Sequence, residues 1–108
     1  MLDKKTIRKL VNSATYNKGL DLYNQDKVST FEVEEVQEDK FGIRALVKGS
    51  GRKKYNVELI YDEVYDDLIE SYCECPAFYS YNGICKHCIA VLLEFEHYRY
   101  RQQTIYDR

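Results

Sequence analysis

The sequence predicts an α+β fold in which helices pack against a small antiparallel sheet. Apolar residues recur at helical spacing near the start of the chain and again near its end, whereas the middle of the chain alternates apolar and polar residues. A chain of 108 residues suits one domain with a modest core of its own. We therefore expect a single domain over residues 1–108, with one or two N-terminal helices, three to four strands and a C-terminal helix.

The first predicted element is helical and spans residues 4–25. Its periodicity can be interrupted at Asn12-Ser13 or at Gly19, because Asn, Ser and Gly are turn-forming residues. The region therefore predicts either one helix or two. The apolar residues at helical spacing are Ile7, Leu10, Val11, Ala14, Leu20 and Tyr23.

From Val28 the period changes to two, which is typical of strands with one buried face. The polar turn Glu38-Asp39-Lys40 separates the first two strands and predicts a hairpin, and the loop Gly49-Ser50-Gly51-Arg52 leads into a third. An acidic stretch at 62–67 follows. The predicted strands are 28–36, 41–47 and 55–61, and 69–75 can add a fourth.

All four cysteines lie between positions 73 and 88, and three of them form the pattern Cys73-x-Cys75, nine residues, Cys85-x-His87. Alternate residues of a strand point to the same side, so an extended 71–75 would aim both of its thiols in one direction. Residues two apart in a helix point in nearly opposite directions. Cys85 must therefore precede the final helix, which we expect to begin near Lys86 with His87 in its first turn.

Three thiolates and one imidazole make a closed tetrahedral Cys3His set, the usual form of a structural zinc site. The spacer between the ligand pairs opens with Pro76, which cannot continue a ladder, and ends with the turn signal Asn82-Gly83. The sequence thus predicts a zinc-binding loop between the sheet and a final helix over about 86–102, with a polar tail at 103–108 that frays.

Cys88 leaves two alternatives open. Cys85-x-x-Cys88 is also an acceptable zinc knuckle, in which case His87 would be displaced, and oxidation could instead close a disulfide between the two cysteines and expel zinc as a redox switch. Against the knuckle, Cys88 shares a helix face with three apolar residues and is expected to pack as a small hydrophobe. Those residues are Val91, Leu92 and Phe95.

The composition limits which classes of partner the chain can bind. The net charge is only −2, and no apolar run approaches the roughly 20 residues that a membrane span needs, so we expect a cytoplasmic protein with reduced thiols and no membrane or small-molecule partner. Basic residues nevertheless cluster in a loop and near the end of the last helix, while 32–39 and 62–67 are acidic. The candidates for nucleic-acid or partner contact are Lys48, Arg52, Lys53, Lys54, Arg99 and Arg101.

Catalysis is not expected from this chain. A catalytic zinc keeps one position open for water, whereas the predicted set is closed. The His-x-Glu and Pro-Cys-x-x-Cys signature of zinc deaminases, the His-Glu-x-x-His pattern of metalloproteases and the Gly-x-x-x-x-Gly-Lys-Ser/Thr phosphate loop do not occur in the sequence. No catalytic residue is therefore predicted.

The motifs Cys73-Glu74-Cys75-Pro76 and Gly83-Ile84-Cys85-Lys86-His87, followed by the apolar 90–93, resemble the SWIM zinc finger. That family's signature is Cys-x-Cys, a variable spacer and Cys-x-His, and this chain matches all four ligand positions, with the finger proper at about 71–95. The resemblance implies bound Zn²⁺ and a role in DNA binding or protein interaction.

The part of the chain that precedes the finger also resembles a known arrangement. Residues 14–28 and the strands through 47–57 are similar to the segment that precedes the finger in bacterial Swi/Snf-class helicases. With the finger, the resemblance covers most of residues 10–96. It implies that the chain is the N-terminal part of a larger ATP-dependent helicase or translocase, whose motor would lie outside these 108 residues.

Overall fold

The computed structural model describes residues 2–49, 51, 53–76 and 84–106, and in these residues the chain forms a four-stranded sheet and three helices. The predicted α+β class is confirmed. The elements in chain order are α1 Lys4–Arg8, α2 Ser13–Asn24, β1 Val28–Gln37, β2 Lys40–Lys48, β3 Lys54–Asp62, β4 Asp67–Cys73 and α3 Lys86–Tyr106.

Side-chain caps start both N-terminal helices. The carboxylate of Asp3 accepts a hydrogen bond from the Thr6 backbone N–H, and the side chain of Asn12 accepts one from Thr15, each at 2.8 Å. These contacts satisfy backbone donors that lack a partner in the first turn of a helix. The predicted interruption therefore falls at Asn12-Ser13.

Gly19, the other predicted break, lies inside α2 and is buried. A Cβ atom at this position would lie 2.5 Å from Cγ2 of Ile89 and 2.9 Å from the backbone oxygen of Lys86. Only a residue without a side chain lets α2 approach α3 this closely. The glycine serves helix packing and does not end the helix.

The sheet is a meander in the order β1-β2-β3-β4, and every neighbouring pair is antiparallel. β4 starts two residues before the predicted 69 and ends at Cys73 instead of 75. The ladder changes at that point because the Asn56 N–H donates to the side chain of Glu74, at 2.7 Å, while the Glu74 N–H still donates to the Asn56 carbonyl. A side chain thus takes the place of a strand carbonyl.

One face of the sheet packs against α3, and α1 and α2 pack on α3 in turn. Alternate residues of β2 and β3 point into this core, and α3 contributes a nearly continuous buried stretch from Cys88 to Leu93 together with Phe95. The inward residues of the two strands are Ile43, Ala45, Val47, Val57, Leu59 and Tyr61. The opposite face of the sheet carries no helix among the described residues.

α3 begins at Lys86, as predicted, and continues to Tyr106, beyond the predicted end at Gln102. Residues 103–106 contain neither Gly nor Pro, so the sequence holds no local signal that stops the helix there. In the part of the chain that the structure describes, no helix is both long enough and apolar enough to cross a membrane.

Candidate metal centre

The side chains of Cys73, Cys75, Cys85 and His87 converge at one end of the sheet. All four residues are buried, and their ligand atoms lie within 4.8 Å of one another. The Sγ atoms of Cys73 and Cys85 are each 3.7 Å from Nδ1 of His87. A tetrahedral zinc ion with ordinary bond lengths holds sulfur and nitrogen ligands about 3.6 Å apart, so the donor set fits Zn²⁺.

The ligands come from two elements whose ends meet at the site. Cys73 is the last residue of β4 and Cys75 follows just beyond it, whereas Cys85 immediately precedes α3 and His87 is its second residue. The metal centre therefore joins the end of the sheet to the start of the helix that covers it. This is the arrangement that the Cys-x-Cys and Cys-x-His spacings predict.

His87 presents Nδ1 to the sulfur atoms, so Nδ1 is the ligand atom. Its Nε2 is buried and has no hydrogen-bond partner among the described residues. The ring packs against Tyr55, with the centroids 5.1 Å apart. Sequence analysis missed this contact, because alternation in β3 indicates only which side of the sheet Tyr55 occupies.

Hydrogen bonds among the buried thiols shift their pKa values in opposite directions. Hydrogen bonds from Cys73 and Cys88 lower the pKa of the Cys85 thiol, while the hydrogen bond to Cys85 and burial raise the pKa of Cys73 and of Cys88. Cys85 also lies next to the N-terminus of α3, whose partial positive charge favours a thiolate. Since zinc binds thiolates, its binding must release protons from the other ligands.

Cys88 is fully buried in α3, with its Sγ 3.8 Å from that of Cys85. It lies in the core cluster with Ile89 and Leu92, in keeping with a small apolar residue. The proximity of the two sulfur atoms leaves the redox switch as a prediction, although both residues are at most 1% exposed.

Residues 56–96 match the family model of the SWIM zinc finger. The matched segment contains all four ligands, β4 and most of β3, and the first half of α3. No curated protein and no solved structure matches the chain. The family match and the buried Cys3His group together establish a zinc-binding site, and the resemblance of the preceding segment to Swi/Snf-class helicases stays a prediction.

Outside the metal site, the predicted basic contacts fall into two separate groups. Lys48 ends β2, Lys53 immediately precedes β3 and Lys54 is its first residue. All three are exposed at the end of the sheet where Tyr55 contacts His87, while Arg52 lies outside the described residues. Arg101 is exposed near the other end of α3. The structure therefore does not bring together the five candidates that it describes.

Arg99 already has protein partners. Its guanidinium forms an ion pair with Glu63 and lies over the ring of Phe41, 4.8 Å from the centroid, and its side chain is only 21% exposed. Along α3 it is about 18 Å from His87. Arg99 ties the β3–β4 turn to the helix, a role that the sequence alone did not indicate.

The assignment of the four metal ligands makes a direct prediction. His87→Ala should lose stoichiometric zinc, because it removes a ligand atom, whereas Cys88→Ala should keep one zinc per chain. Native mass spectrometry of protein purified without chelator measures both. Equal zinc loss from the two variants would show that Cys88 is the fourth ligand.

Proposed function

We propose that this chain is a non-catalytic, zinc-stabilised module that binds DNA within a larger ATP-dependent helicase or translocase of the Swi/Snf class. The observation that carries the proposal is the position of the lysine hairpin, defined as Lys48, Lys53 and Lys54, at the end of the sheet where Tyr55 packs on the metal ligand His87. The SWIM match at 56–96 and the resemblance of the preceding segment support the helicase context.

The lysine hairpin places like charges together. Lys48 and Lys54 are directly opposite each other in the β2–β3 ladder, and both are exposed. Like charges at such positions destabilise a sheet. A phosphate bound between the two ammonium groups would turn this repulsion into attraction, and phosphate contacts supply most of the affinity of nonspecific DNA binding.

The hairpin is also braced against the metal centre. The ring of Tyr55 lies between the His87 ring and Gly49, where a Cβ atom would be 2.6 Å from Cε2 of the tyrosine. The Gly49 N–H donates to the Lys53 carbonyl at 2.9 Å and closes the end of the hairpin. Zinc bound by His87 would therefore hold Tyr55, and through it the lysines, in one orientation.

The donor set supports a non-catalytic role. Catalytic zinc sites use three protein ligands and keep the fourth position for water or substrate. Here three sulfur atoms and one nitrogen supply four protein ligands, all from buried residues. The group suits a structural ion that fixes β4 and α3.

Replacing the three hairpin lysines with alanine should weaken DNA binding by at least about tenfold at moderate salt. It should also reduce the slope of log affinity against log salt by up to about 3, because fewer counterions are released. Fluorescence anisotropy of a labelled DNA duplex, titrated with zinc-loaded protein at several salt concentrations, measures both quantities.

The matched control removes the same charge from α1, through the exposed Lys4, Lys5 and Lys9. Alanine at these positions should leave affinity and slope unchanged. If both triple variants weakened binding equally, the attraction would depend on overall charge and not on the hairpin. If zinc-loaded protein bound no duplex at all, the DNA proposal would be wrong while the metal site stood.

A further inference from the structure

Among the residues that the structure describes, one face of the sheet is not covered by a helix. Because side chains alternate along each strand, residues next to the buried Ile43, Val57 and Leu59 point outward onto this face. A groove runs across it, lined by residues of β1, β2, β3 and β4. We call this groove and its lining residues the open sheet face.

The open sheet face carries an exposed apolar strip. Val36 is 46% exposed, Ile69 45% and Tyr72 43%, and the partly buried Ile60 lies between the strands that bear them. Isolated apolar residues are common on protein surfaces, but a contiguous strip within a groove marks an interaction surface.

Gly42 forms part of the floor of the groove in the middle of the sheet. It pairs with Glu34 on one side and Ile60 on the other, so any side chain here would rise from the floor between them. A Cβ atom at this position would lie 3.1 Å from Cγ1 of Val36. The missing side chain thus gives room to Val36, which packs over the glycine as part of the apolar strip.

The groove has an acidic border. Glu32, Arg44, Glu58 and Tyr72 form one row across the four strands, and Glu34, Gly42, Ile60 and Glu70 form the next. The single arginine among the lining residues is already within 3.5 Å of Glu58. Four glutamates thus surround an apolar strip with one cation between them.

We propose that the open sheet face docks a basic amphipathic helix from a partner protein. A helix is the usual cover for the apolar face of a sheet, and lysine or arginine flanking its apolar stripe would meet the glutamates. The same carboxylates repel a nucleic-acid backbone and would repel one another in a face-to-face pair of this chain. Lys48 and Lys54 point to the same side of the sheet as the groove, but they lie beyond its lining residues. The two surfaces therefore adjoin, and their opposite charges select different partners.

Binding of model helices by the zinc-loaded chain tests the proposal. The probes are a labelled amphipathic peptide of leucine and lysine, its counterpart with glutamate in place of lysine, and a lysine peptide of scrambled order. The first should bind saturably and shift the backbone amide NMR signals of outward residues in β1, β3 and β4. The other two should bind at least about tenfold more weakly.

Variants locate the contact. Converting Glu32, Glu34 and Glu70 together to glutamine should lower the affinity for the lysine peptide by at least about tenfold, and Ile69→Ser by roughly fivefold. All four residues are exposed, so the fold should persist. Matched changes outside the groove should have no effect: Glu35→Gln with Glu38→Gln and Asp39→Asn for charge, and Val64→Ser for the apolar residue.

Three results would overturn the proposal. The first is no binding of the lysine peptide, and the second is equal binding of the glutamate peptide. The third is sedimentation showing that the chain forms a dimer which Ile69→Ser dissociates, since the occupant would then be a second copy. None of these results bears on DNA binding by the hairpin, whose lysines are not among the residues that line the groove.

Discussion

Cys75→Ser is expected to abolish stoichiometric zinc binding and to lower the free energy of unfolding by roughly 3 kcal/mol or more. Structural zinc sites have apparent binding free energies of about 10–16 kcal/mol, shared here among four ligands. Cys75 belongs to neither β4 nor α3. The substitution therefore removes a metal ligand without changing a side chain of the sheet or of the helix. The loss should therefore report the metal's contribution.

Urea unfolding with and without a chelator measures that contribution. Chelator should lower the stability of the unaltered protein to about that of the variant, because both then lack the link between β4 and α3. In Cys75→Ser the chelator should change little. A variant that kept one zinc and its full stability would remove Cys75 from the ligand set, and equal chelator effects on both proteins would mean that another site binds the metal.

Phe95→Ala is expected to lower the free energy of unfolding by about 3–5 kcal/mol while one zinc per chain is retained. Phe95 is fully buried, and its ring meets Tyr61 edge-on with the centroids 5.4 Å apart. Phe41 and Tyr98 lie beside it, at 6.0 and 6.3 Å. Truncation would leave a cavity among aromatic rings that cannot easily collapse. The residue is about 12 Å along α3 from His87, so the ligands themselves stay in place.

Tyr100→Ala is the matched control, because it removes an aromatic ring from the same helix at a position that is 62% exposed. It should change stability by no more than about 0.5 kcal/mol. Urea unfolding in excess zinc measures both variants, and native mass spectrometry checks the metal. Equal losses from the two would contradict the packing of α3 on the sheet.

The metal site was accessible to sequence reasoning because its geometry is local. The spacing of Cys73 and Cys75 requires an extended chain, and the spacing of Cys85 and His87 requires a helix that begins between them. Neither argument depends on how the rest of the chain folds. The contact of Tyr55 with His87 depends on the register of β3 against the helix, so no spacing could reveal it.

Fold class and strand number were also predictable, since alternation and turn residues carry that information. The role of Gly19 was not, because glycine weakens a helix and also permits close helix packing, and only the position of Ile89 separates the two. The end of β4 was missed for a similar reason. Glu74 replaces a strand carbonyl with its side chain, and an ordinary glutamate carries no sign of this in the sequence.

Clusters of charged residues in the sequence were the weakest guide to the binding surfaces. Lys53 and Lys54 lie together in the structure because they are neighbours in the chain, whereas Arg99 is drawn to Glu63, thirty-six positions away in sequence. The acidic border of the open sheet face comes from three strands and appears in the sequence only as scattered glutamates. Local charge can be read from the sequence, but a surface potential requires the fold.

The meander order of the sheet has a consequence for how the chain reaches its native state. Each strand pairs with its immediate neighbour in the chain, and such local contacts form quickly. The docking of α3 is different, because it depends on bringing Cys85 and His87 to Cys73 and Cys75 at the end of β4. Bound zinc would hold these two pairs of ligands together. Scarcity of zinc would therefore stall the chain after the sheet has formed, with the inner face still lacking its helix. Such a species would expose apolar strands to other chains, which favours aggregation.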